Sequence, residues 1–352
     1  NCSGRVFFIW DEVQRCRGSS TQNSMMLLDA ARKYKNLLLS ATPFTTPLEA
    51  YSIGRTLRLF SHDKYMYWCF KHGCRYNYMR HFVFEGGPQD MEEIHREIFP
   101  GRGVRTRREE IPGFPQSLIE TVAVETGEAA AIQKAYLQEL DTRRSGDLDR
   151  AQAAVLAKMR EHDPDLAELP PDVAEAIGPL AVTVDLRSRQ EVELRKTAVM
   201  AEMAKDAASR GESVALFVNF DDTIEVLKKL LDTEYVFRGK RPAGQGNLSQ
   251  HNYAWGFQRN QSPYIIVNSA AGGAGLNLHD PETQRPRTAL ISPPWSAVTL
   301  KQVLGRVNRD GGGFSTQKII FAHGTREEAV MERVQSRLAN LHMLVDGDLI
   351  EL

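Results

Sequence analysis

Short runs of apolar residues recur along the chain, separated by stretches whose apolar positions have helical spacing. The runs are continuous, not alternating, which is typical of strands buried on both faces of a parallel sheet. Such runs predict strands at 6–10, 37–39, 214–218, 264–267, 288–291 and 318–322. The stretch 221–231 has the apolar period of an amphipathic helix. Strands that alternate with helices predict the α/β class, with parallel sheets.

The predicted strands fall into two widely separated groups. Between them, 128–140 has the spacing of a helix, 163–179 is acidic and proline-rich, and 189–211 is a predicted helix that ends at a glycine. We therefore predict three parts: an incomplete first lobe over 1–126, a helical insertion or linker over 127–188 and a complete second lobe over 189–352.

Composition and charge exclude few classes of protein. The 352 residues are 42% hydrophobic and 25% charged, as in an ordinary globular protein of about two domains. No apolar run is long enough for a membrane span, and no signal-peptide pattern is present at the N-terminus. The net charge is −1, but 17 basic and 12 acidic residues lie in 1–118, against 8 and 14 in 119–190. The first segment is thus basic and the middle acidic.

The four cysteines are too few and too irregular for a disulfide scaffold. Cys69, His72 and Cys74 lack a second ligand pair at the spacing that zinc requires, so we expect structural or free thiols. A reducing compartment follows. We expect a cytoplasmic location in a bacterial, phage or viral setting, or a nuclear one in a eukaryote.

Two predicted strands end at residues that can do chemistry. Asp11 and Glu12 follow the first, and Ser40 and Thr42 follow the second. Ligands of open parallel sheets bind at the carboxyl ends of strands. Such paired acids can hold Mg²⁺ and activate water, and hydroxyl groups can bond to neighbouring carboxylates. Surface acids at the start of a helix and an ordinary Ser/Thr turn are the alternatives.

Two further patterns suit phosphate binding. Gly272, Gly273 and Gly275 follow the strand 264–267, and glycines let the backbone approach a phosphate closely, although a flexible turn is the alternative. The second pattern is a spacing of i, i+3, i+4 and i+7, which predicts one face of a helix for Gln302, Gly305, Arg306 and Arg309. Two arginines there suit a clamp on triphosphate oxygens; a solvated helix face is the alternative.

In this order, the motifs resemble the two RecA-like lobes of superfamily 2 helicases and translocases, and most closely their Swi/Snf-related branch. The resemblance is carried by LLLSATPFTTPLEAYSIGRTLRLF (37–60), VRTRREEIPGFPQSLIETVAVE (104–125), GGAGLNL (272–278) and QVLGRVNRDGGG (302–313). It implies a helicase or translocase that couples hydrolysis of ATP, with Mg²⁺, to movement on nucleic acid. Duplex DNA is the favoured partner.

The resemblance also implies residue roles. Asp11 and Glu12 would hold Mg²⁺, and Glu12 would activate water. Gln14, where many relatives have His, would couple nucleotide state to nucleic-acid grip together with Ser40 and Thr42. The remaining nucleotide contacts would come from Gly273, Gly275, Gln302 and Gly305, with Arg306 and Arg309 at the γ-phosphate.

Nucleic-acid contacts are predicted from basic clusters, namely Arg105, Arg107, Arg108, Arg238, Lys240 and Arg241. A solvated charge run is the alternative, because Glu109 and Glu110 offset the arginines before them. Aromatic residues in 66–70 and 81–87 could stack on bases, but a place in the core is favoured for them.

One family motif is missing: no G-x-x-x-x-G-K-[ST] phosphate loop occurs, and only ten residues precede the acidic pair. We therefore expect a chain that begins inside the first lobe, exposes part of that lobe's core and hydrolyses ATP poorly alone. A catalytically inactive nucleic-acid-binding or scaffolding relative is the second hypothesis. A nuclease would need clustered Asp, Glu and Lys residues, which the sequence lacks.

Overall fold

The structure of the protein is a computed structural model that describes residues 6–78, 80–107, 110–127, 179–239, 248–272 and 275–346. The chain forms two compact units. The first comprises residues 1–110 and 335–351, and the second comprises residues 111–334. The predicted α/β class is confirmed, since both units contain parallel strands joined through helices. Residues 128–178 of the predicted insertion at 127–188 lie outside the described residues.

The first unit contains a short parallel sheet and a hairpin. Its elements are β1 (Phe7–Trp10), α1 (Gln22–Lys33), β2 (Lys35–Leu38), α2 (Tyr51–Thr56), α3 (Tyr65–Lys71), β3 (Cys74–Tyr76), β4 (Phe82–Phe84) and α4 (Pro88–Ile98). β1 and β2 pair in parallel, from Phe7 opposite Lys35 to Trp10 opposite Leu38. β3 and β4 form an antiparallel pair that the sequence pattern does not predict.

Local sequence explains where the helices of this unit begin. The Thr21 hydroxyl accepts a hydrogen bond from the Ser24 amide and caps α1. α4 begins at Pro88, which needs no amide partner at the first helical position. The Asp90 carboxylate accepts a hydrogen bond from the Gly87 amide at 2.9 Å and fixes the entry of the chain into α4.

The second unit is a larger parallel sheet with its helices. Its elements are β5 (Ser117–Val124), α5 (Pro179–Ser209), β6 (Ser213–Val218), α6 (Asp221–Leu230), β7 (Val236–Phe237), α7 (Leu248–Gln258), β8 (Tyr264–Asn268), α8 (Ser269–Gly272), β9 (Arg287–Ile291), α9 (Ala297–Leu304), β10 (Ser315–Ala322) and α10 (Arg326–Asp346). The strand order is β5-β10-β9-β6-β8-β7, and every neighbouring pair is parallel. α10 continues into residues assigned to the first unit.

The centre of this sheet is the main core of the described chain. β6 and β9 are buried at every position, as the continuous apolar runs predict. Met200 of α5 and Leu227 of α6 pack with Leu216 and Ile266 of the sheet. Each such side chain stabilises the fold by about 1.5–3 kcal/mol relative to an exposed one.

The place of β5 differs from the one that the sequence suggests. The resemblance puts this strand in the first lobe, with a boundary at 126. The structure pairs β5 with β10 in parallel, from Ser117 opposite Ser315 to Val124 opposite Ala322. The compact units divide at residue 110, because this long ladder ties the strand to the six-stranded sheet.

The predicted burial of the first two strands on both faces is wrong. Phe7 is 53% exposed and Ile9 is 62% exposed, and Leu37 and Leu39 are exposed as well. β1 and β2 pair only with each other among the described residues, so they present open strand edges and an apolar face. This agrees with the expectation that part of the first lobe's core is exposed.

The double substitution Phe7→Thr and Ile9→Thr is expected to reduce self-association of the chain. Thr keeps a high preference for strands but removes apolar surface that can pair with another molecule. Light scattering as a function of protein concentration measures self-association. The free energy of unfolding should change by no more than about 0.5 kcal/mol per site. Met25→Thr is the control, since Met25 is exposed on a helix. Equal scattering by both variants would contradict the expectation.

None of the helices in the described part of the chain is long and apolar enough to span a membrane.

Candidate functional site

The end of β1 holds the acidic pair in a sharp turn. The Asp11 side chain accepts a hydrogen bond from the Glu12 amide at 3.0 Å. Glu12 has φ 53° and ψ 50°, a left-handed conformation that is unfavourable for a side chain with a Cβ. The Val13 amide then bonds to the Leu39 carbonyl at 3.0 Å, which sets the end of β2 beside this turn. Backbone strain of this kind is common at functional sites.

A hydrogen-bonded relay joins the acidic pair to the end of β2. The Gln14 side-chain amide donates to the Glu12 carboxylate. The Ser40 hydroxyl donates to the side-chain Oε1 of Gln14 at 2.6 Å, and the Thr42 backbone amide donates to the Ser40 hydroxyl oxygen at 2.9 Å. We call Glu12, Gln14, Ser40 and Thr42 the relay. The structure thus brings together the three residues for which a coupling role was predicted.

Burial makes the relay specific. Gln14 is 0% exposed, so both ends of its amide need partners, and Glu12 and Ser40 supply them. The Thr42 hydroxyl oxygen is buried and has no hydrogen-bond partner among the described residues. The Gln14 side-chain amide therefore links the Glu12 carboxylate to the Ser40 hydroxyl through two hydrogen bonds.

The loop after the relay is fixed to the acidic turn by a carboxylate. The Thr45 amide donates to Glu49 at 2.7 Å, and Arg17 lies 3.6 Å from the other Glu49 oxygen. Burial alone would raise the pKa of Glu49, but Arg17, Arg337 and the hydrogen bonds from Thr45 together lower it below its ordinary value. Glu49 is therefore an ionised structural residue, and the sequence pattern gave no sign of its partners.

The acidic pair has the right chemistry for Mg²⁺. This ion keeps several waters and takes one or two carboxylates together with substrate phosphates. Asp11 is exposed and only one of its oxygens receives the Glu12 amide, so the other oxygen is open to a ligand. Among the residues that the structure describes, no cluster of three or more His, Cys, Asp and Glu side chains could hold a metal ion. Cys69 and Cys74 are free, buried thiols.

The second unit holds the predicted arginines, but not on one helical face. α9 ends at Leu304, and Gly305 and Arg306 follow in a turn closed by the Arg306 amide on the Val303 carbonyl. Arg309 lies beyond this turn, outside the helix. The prediction of a continuous helix through Arg309 is therefore wrong.

Long-range contacts explain why the helix stops. The Arg306 guanidinium donates to the Leu276 carbonyl at 3.1 Å, and the Leu278 amide donates to the Arg306 carbonyl at 2.9 Å. Arg306 is only 4% exposed. The Arg306 side chain thus supports the glycine-rich loop. This role differs from the phosphate clamp and from the solvated helix face that the spacing suggests.

Arg309 has a different environment. Its side chain is half-buried, and its Nε is buried without a hydrogen-bond partner in the described part of the chain. Burial lowers the pKa of His279, and the charge of Arg309 lowers it further. A Cβ on Gly312 would lie 3.0 Å from the Arg309 carbonyl oxygen, so any larger residue would be crowded at this position.

The glycine-rich loop is partly described. Gly275 has φ +72° and open space around it, whereas Gly273 lies outside the described residues. Gln302 is half-buried in the last turn of α9. The Asn268 side chain accepts hydrogen bonds from Ala270 and Ala271 at the start of the loop.

A buried arginine that spacing did not single out also supports this loop. Arg287 donates to the carbonyls of Leu278, Phe257 and Gln258 and to the Asn260 side chain. Burial lowers the pKa of its guanidinium to about 10, although Asp280 opposes this shift. The pattern Asn-Leu-His-Asp-Pro after the glycines was the only local signal for this network.

The structure gives little support to the predicted nucleic-acid contacts. Arg238 is ion-paired with Glu225, which offsets its charge. Arg105 and Arg107 are half-buried, and the Arg107 amide donates to Glu110. Arg108, Lys240 and Arg241 lie outside the described residues.

Comparison with known proteins finds relatives in sequence and in structure. No protein-family model matches the chain. Over 163 residues, the chain is 36% identical to L364 of Acanthamoeba polyphaga mimivirus, a protein named as an ATP-dependent RNA helicase. That match spans 46% of this chain and 30% of the viral protein, so the chain covers less than a third of its relative.

Two solved structures are also similar. The C-terminal part of the Fun30 ATPase domain is 13% identical, covering 68% of this chain and 94% of that one, with a TM-score of 0.39. The Sulfolobus solfataricus SWI2/SNF2 ATPase core in complex with dsDNA is 18% identical, covering 97% and 69%, with a TM-score of 0.44. Both TM-scores are below 0.5, so neither structure carries an argument about this chain. The viral match agrees with the helicase resemblance of the motifs.

Proposed function

We propose that the chain is part of an ATP-dependent motor of the superfamily 2 helicase and translocase type, related to the Swi/Snf branch. The observation that carries this proposal is the relay, which connects a strand-end carboxylate to the Ser-Ala-Thr turn of the neighbouring strand. The 36% identity to a protein named as a helicase supports it. Coupling of hydrolysis to motion requires a linkage of this kind between a nucleotide-binding group and a second element.

The residues of the first unit then have distinct proposed roles. When bound, Mg²⁺ would neutralise charge on the phosphates, and Asp11 would hold it. Glu12 would orient and deprotonate the attacking water. Gln14 would sense the position of the Glu12 carboxylate, and Ser40 and Thr42 would pass this on to the loop that follows β2.

The arginines of the second unit are proposed to divide two tasks. Arg306 is bonded to the Leu276 carbonyl and would position the glycine-rich loop. Arg309, with a buried Nε that has no partner among the described residues, is the better candidate for a phosphate contact. Gly275 would allow a phosphate or sugar to approach the loop backbone.

Duplex DNA is the proposed partner of the motor, following the resemblance to the Swi/Snf branch. RNA is the second candidate, because the viral relative is named as an RNA helicase. To distinguish DNA from RNA, phosphate release from ATP is measured with duplex DNA or duplex RNA added. The measurement uses this chain and the longest natural form of the protein. ATP turnover that is stimulated by either duplex supports the motor proposal, and the duplex that stimulates it is assigned as the partner. Tight duplex binding without turnover in any form would support a catalytically inactive relative instead.

Ser40→Ala is expected to uncouple the motor. The change removes the hydrogen bonds to Gln14 and Thr42 but leaves the acidic pair in place. Loss of about 1 kcal/mol of coupling corresponds to about a fivefold smaller stimulation of hydrolysis by duplex, with basal hydrolysis retained. Ser61→Ala, at an exposed serine of the same unit, is the control. An equal stimulation ratio in the two variants would exclude the relay as the coupling element.

A further inference from the structure

The hairpin formed by β3 and β4 carries a cluster of aromatic rings. The ring centroids of Phe70, Tyr76 and Phe82 lie 5.1–5.9 Å from one another. The tip is closed by the Asn77 amide on the His81 carbonyl at 2.9 Å and by the His81 amide on the Asn77 side chain at 2.8 Å. We call residues 74–84 the aromatic hairpin. Its described residues form a defined turn that can hold ring faces in fixed positions.

Several aromatic side chains on and beside the hairpin are exposed. Tyr76 is 56% exposed, Tyr78 at the tip is 85% exposed, and Tyr67 on α3 is 74% exposed. The prediction that the aromatic residues of 66–70 belong to the core therefore holds for Trp68 but is wrong for Tyr67. Large exposed rings that cluster on one element mark an interaction surface.

The charge of this segment is of one sign. Residues 64–84 contain four basic residues, Lys64, Lys71, Arg75 and Arg80, and no Asp or Glu. Lys71 is paired with Glu97 of α4 at 2.6 Å. Arg75 and Arg80 are exposed on the hairpin itself, so positive charge lies beside the exposed rings.

We propose that the aromatic hairpin binds unpaired nucleotides, with the rings of Tyr76 and Tyr78 stacking on bases and Arg75 and Arg80 contacting phosphates. Exposed rings interleaved with cations are the recurring chemistry of single-strand binding. In a duplex, the faces of the bases are covered by their neighbours, so an exposed ring can stack only on splayed or terminal bases. This inference rests on the proposed nucleic-acid function, and it adds a single-strand contact to a motor for which duplex binding is proposed.

The test is fluorescence anisotropy of labelled oligothymidylate and of a labelled blunt duplex, both without nucleotide, titrated with the 352-residue chain. Tyr78→Ala and Tyr76→Ala are each expected to weaken single-strand binding about tenfold. They should change duplex binding less than about twofold, since duplex contacts are mainly electrostatic. Tyr78→Phe keeps the ring and should bind as the parent does.

Charge is tested separately. Arg80→Ala should weaken single-strand binding and reduce its salt dependence. Arg32→Ala removes the same charge from an exposed helix position of the same unit and should have little effect. Circular dichroism of each variant confirms that it is folded.

The outcomes separate this inference from the proposed function. The inference is overturned if the chain does not bind the single strand, or if both tyrosine variants bind it as the parent does. Either result is expected if the rings instead bind a protein. If duplex still stimulates ATP hydrolysis in that case, the motor proposal survives. If the tyrosine variants lose single-strand affinity while no form of the protein hydrolyses ATP, the hairpin assignment stands and the motor proposal fails.

Discussion

Glu12→Gln is expected to lower duplex-stimulated ATP hydrolysis by roughly 10²–10⁴-fold, the usual contribution of a positioned general base. A Gln side chain has the size of Glu but cannot accept a proton from water. It can still accept the hydrogen bond that Gln14 donates to Glu12, so the relay geometry should persist. The measurement is the initial rate of phosphate release in the ATP-hydrolysing form of the protein.

Two controls give this result its meaning. Glu85→Gln alters an exposed glutamate of the same unit and should leave the rate within about twofold, as is usual for surface substitutions. Duplex affinity of the Glu12→Gln protein should match the parent, because only a step after binding is changed. Full turnover by Glu12→Gln would remove Glu12 from catalysis and move the search for a base to other residues.

Lys196→Met is expected to lower the free energy of unfolding by about 3–5 kcal/mol. Lys196 is fully buried and donates to the Ser292 hydroxyl, the Ile320 carbonyl and the Glu327 carboxylate at 2.8–2.9 Å. Glu327 also accepts the Ala322 amide, which ties α5 and α10 to the end of β10. Removing the ammonium would leave a buried carboxylate without its counter-charge.

The neighbouring residue supplies a matched control. Arg195→Met removes a cation whose side chain is 43% exposed and pairs with Glu191 one helical turn away. Such surface pairs contribute at most about 0.5 kcal/mol. Urea unfolding of both variants measures the difference, and the double variant Lys196→Met with Glu327→Leu should recover part of the loss. Equal stability of the two single variants would mean that the buried pair does not hold the helices.

The apolar runs predict six of the strands, namely β1, β2, β6, β8, β9 and β10. The strand ends also predict that the acidic pair lies near the Ser-Ala-Thr turn, for a simple physical reason. Continuous apolar runs identify parallel strands, and the carboxyl ends of neighbouring parallel strands lie together. Gln14, Ser40 and Thr42 are therefore expected near Glu12 once the two strands are paired. The order of the motifs adds the helicase resemblance.

Contacts between residues that are far apart in the sequence determine the structural features that the sequence pattern does not predict. The spacing of Gln302, Gly305, Arg306 and Arg309 suits a helix, but the bonds between Arg306 and residues 276–278 end it at Leu304. The burial of β1 depends on neighbours that a single strand pattern cannot reveal. The exposure of Tyr67 depends on which face of α3 packs, and an aromatic-rich helix seven residues long does not encode it.

The eight-residue ladder between β5 and β10 has a mechanical consequence. The strands run in the same direction, so tension on the chain before Ser117 and on the chain after Ala322 would pull them past each other. Such a shearing load is shared by all the hydrogen bonds of the ladder, whereas a peeling load breaks them one at a time. A chain that enters the six-stranded sheet through β5 can therefore carry pulling force into that sheet without unravelling at its edge.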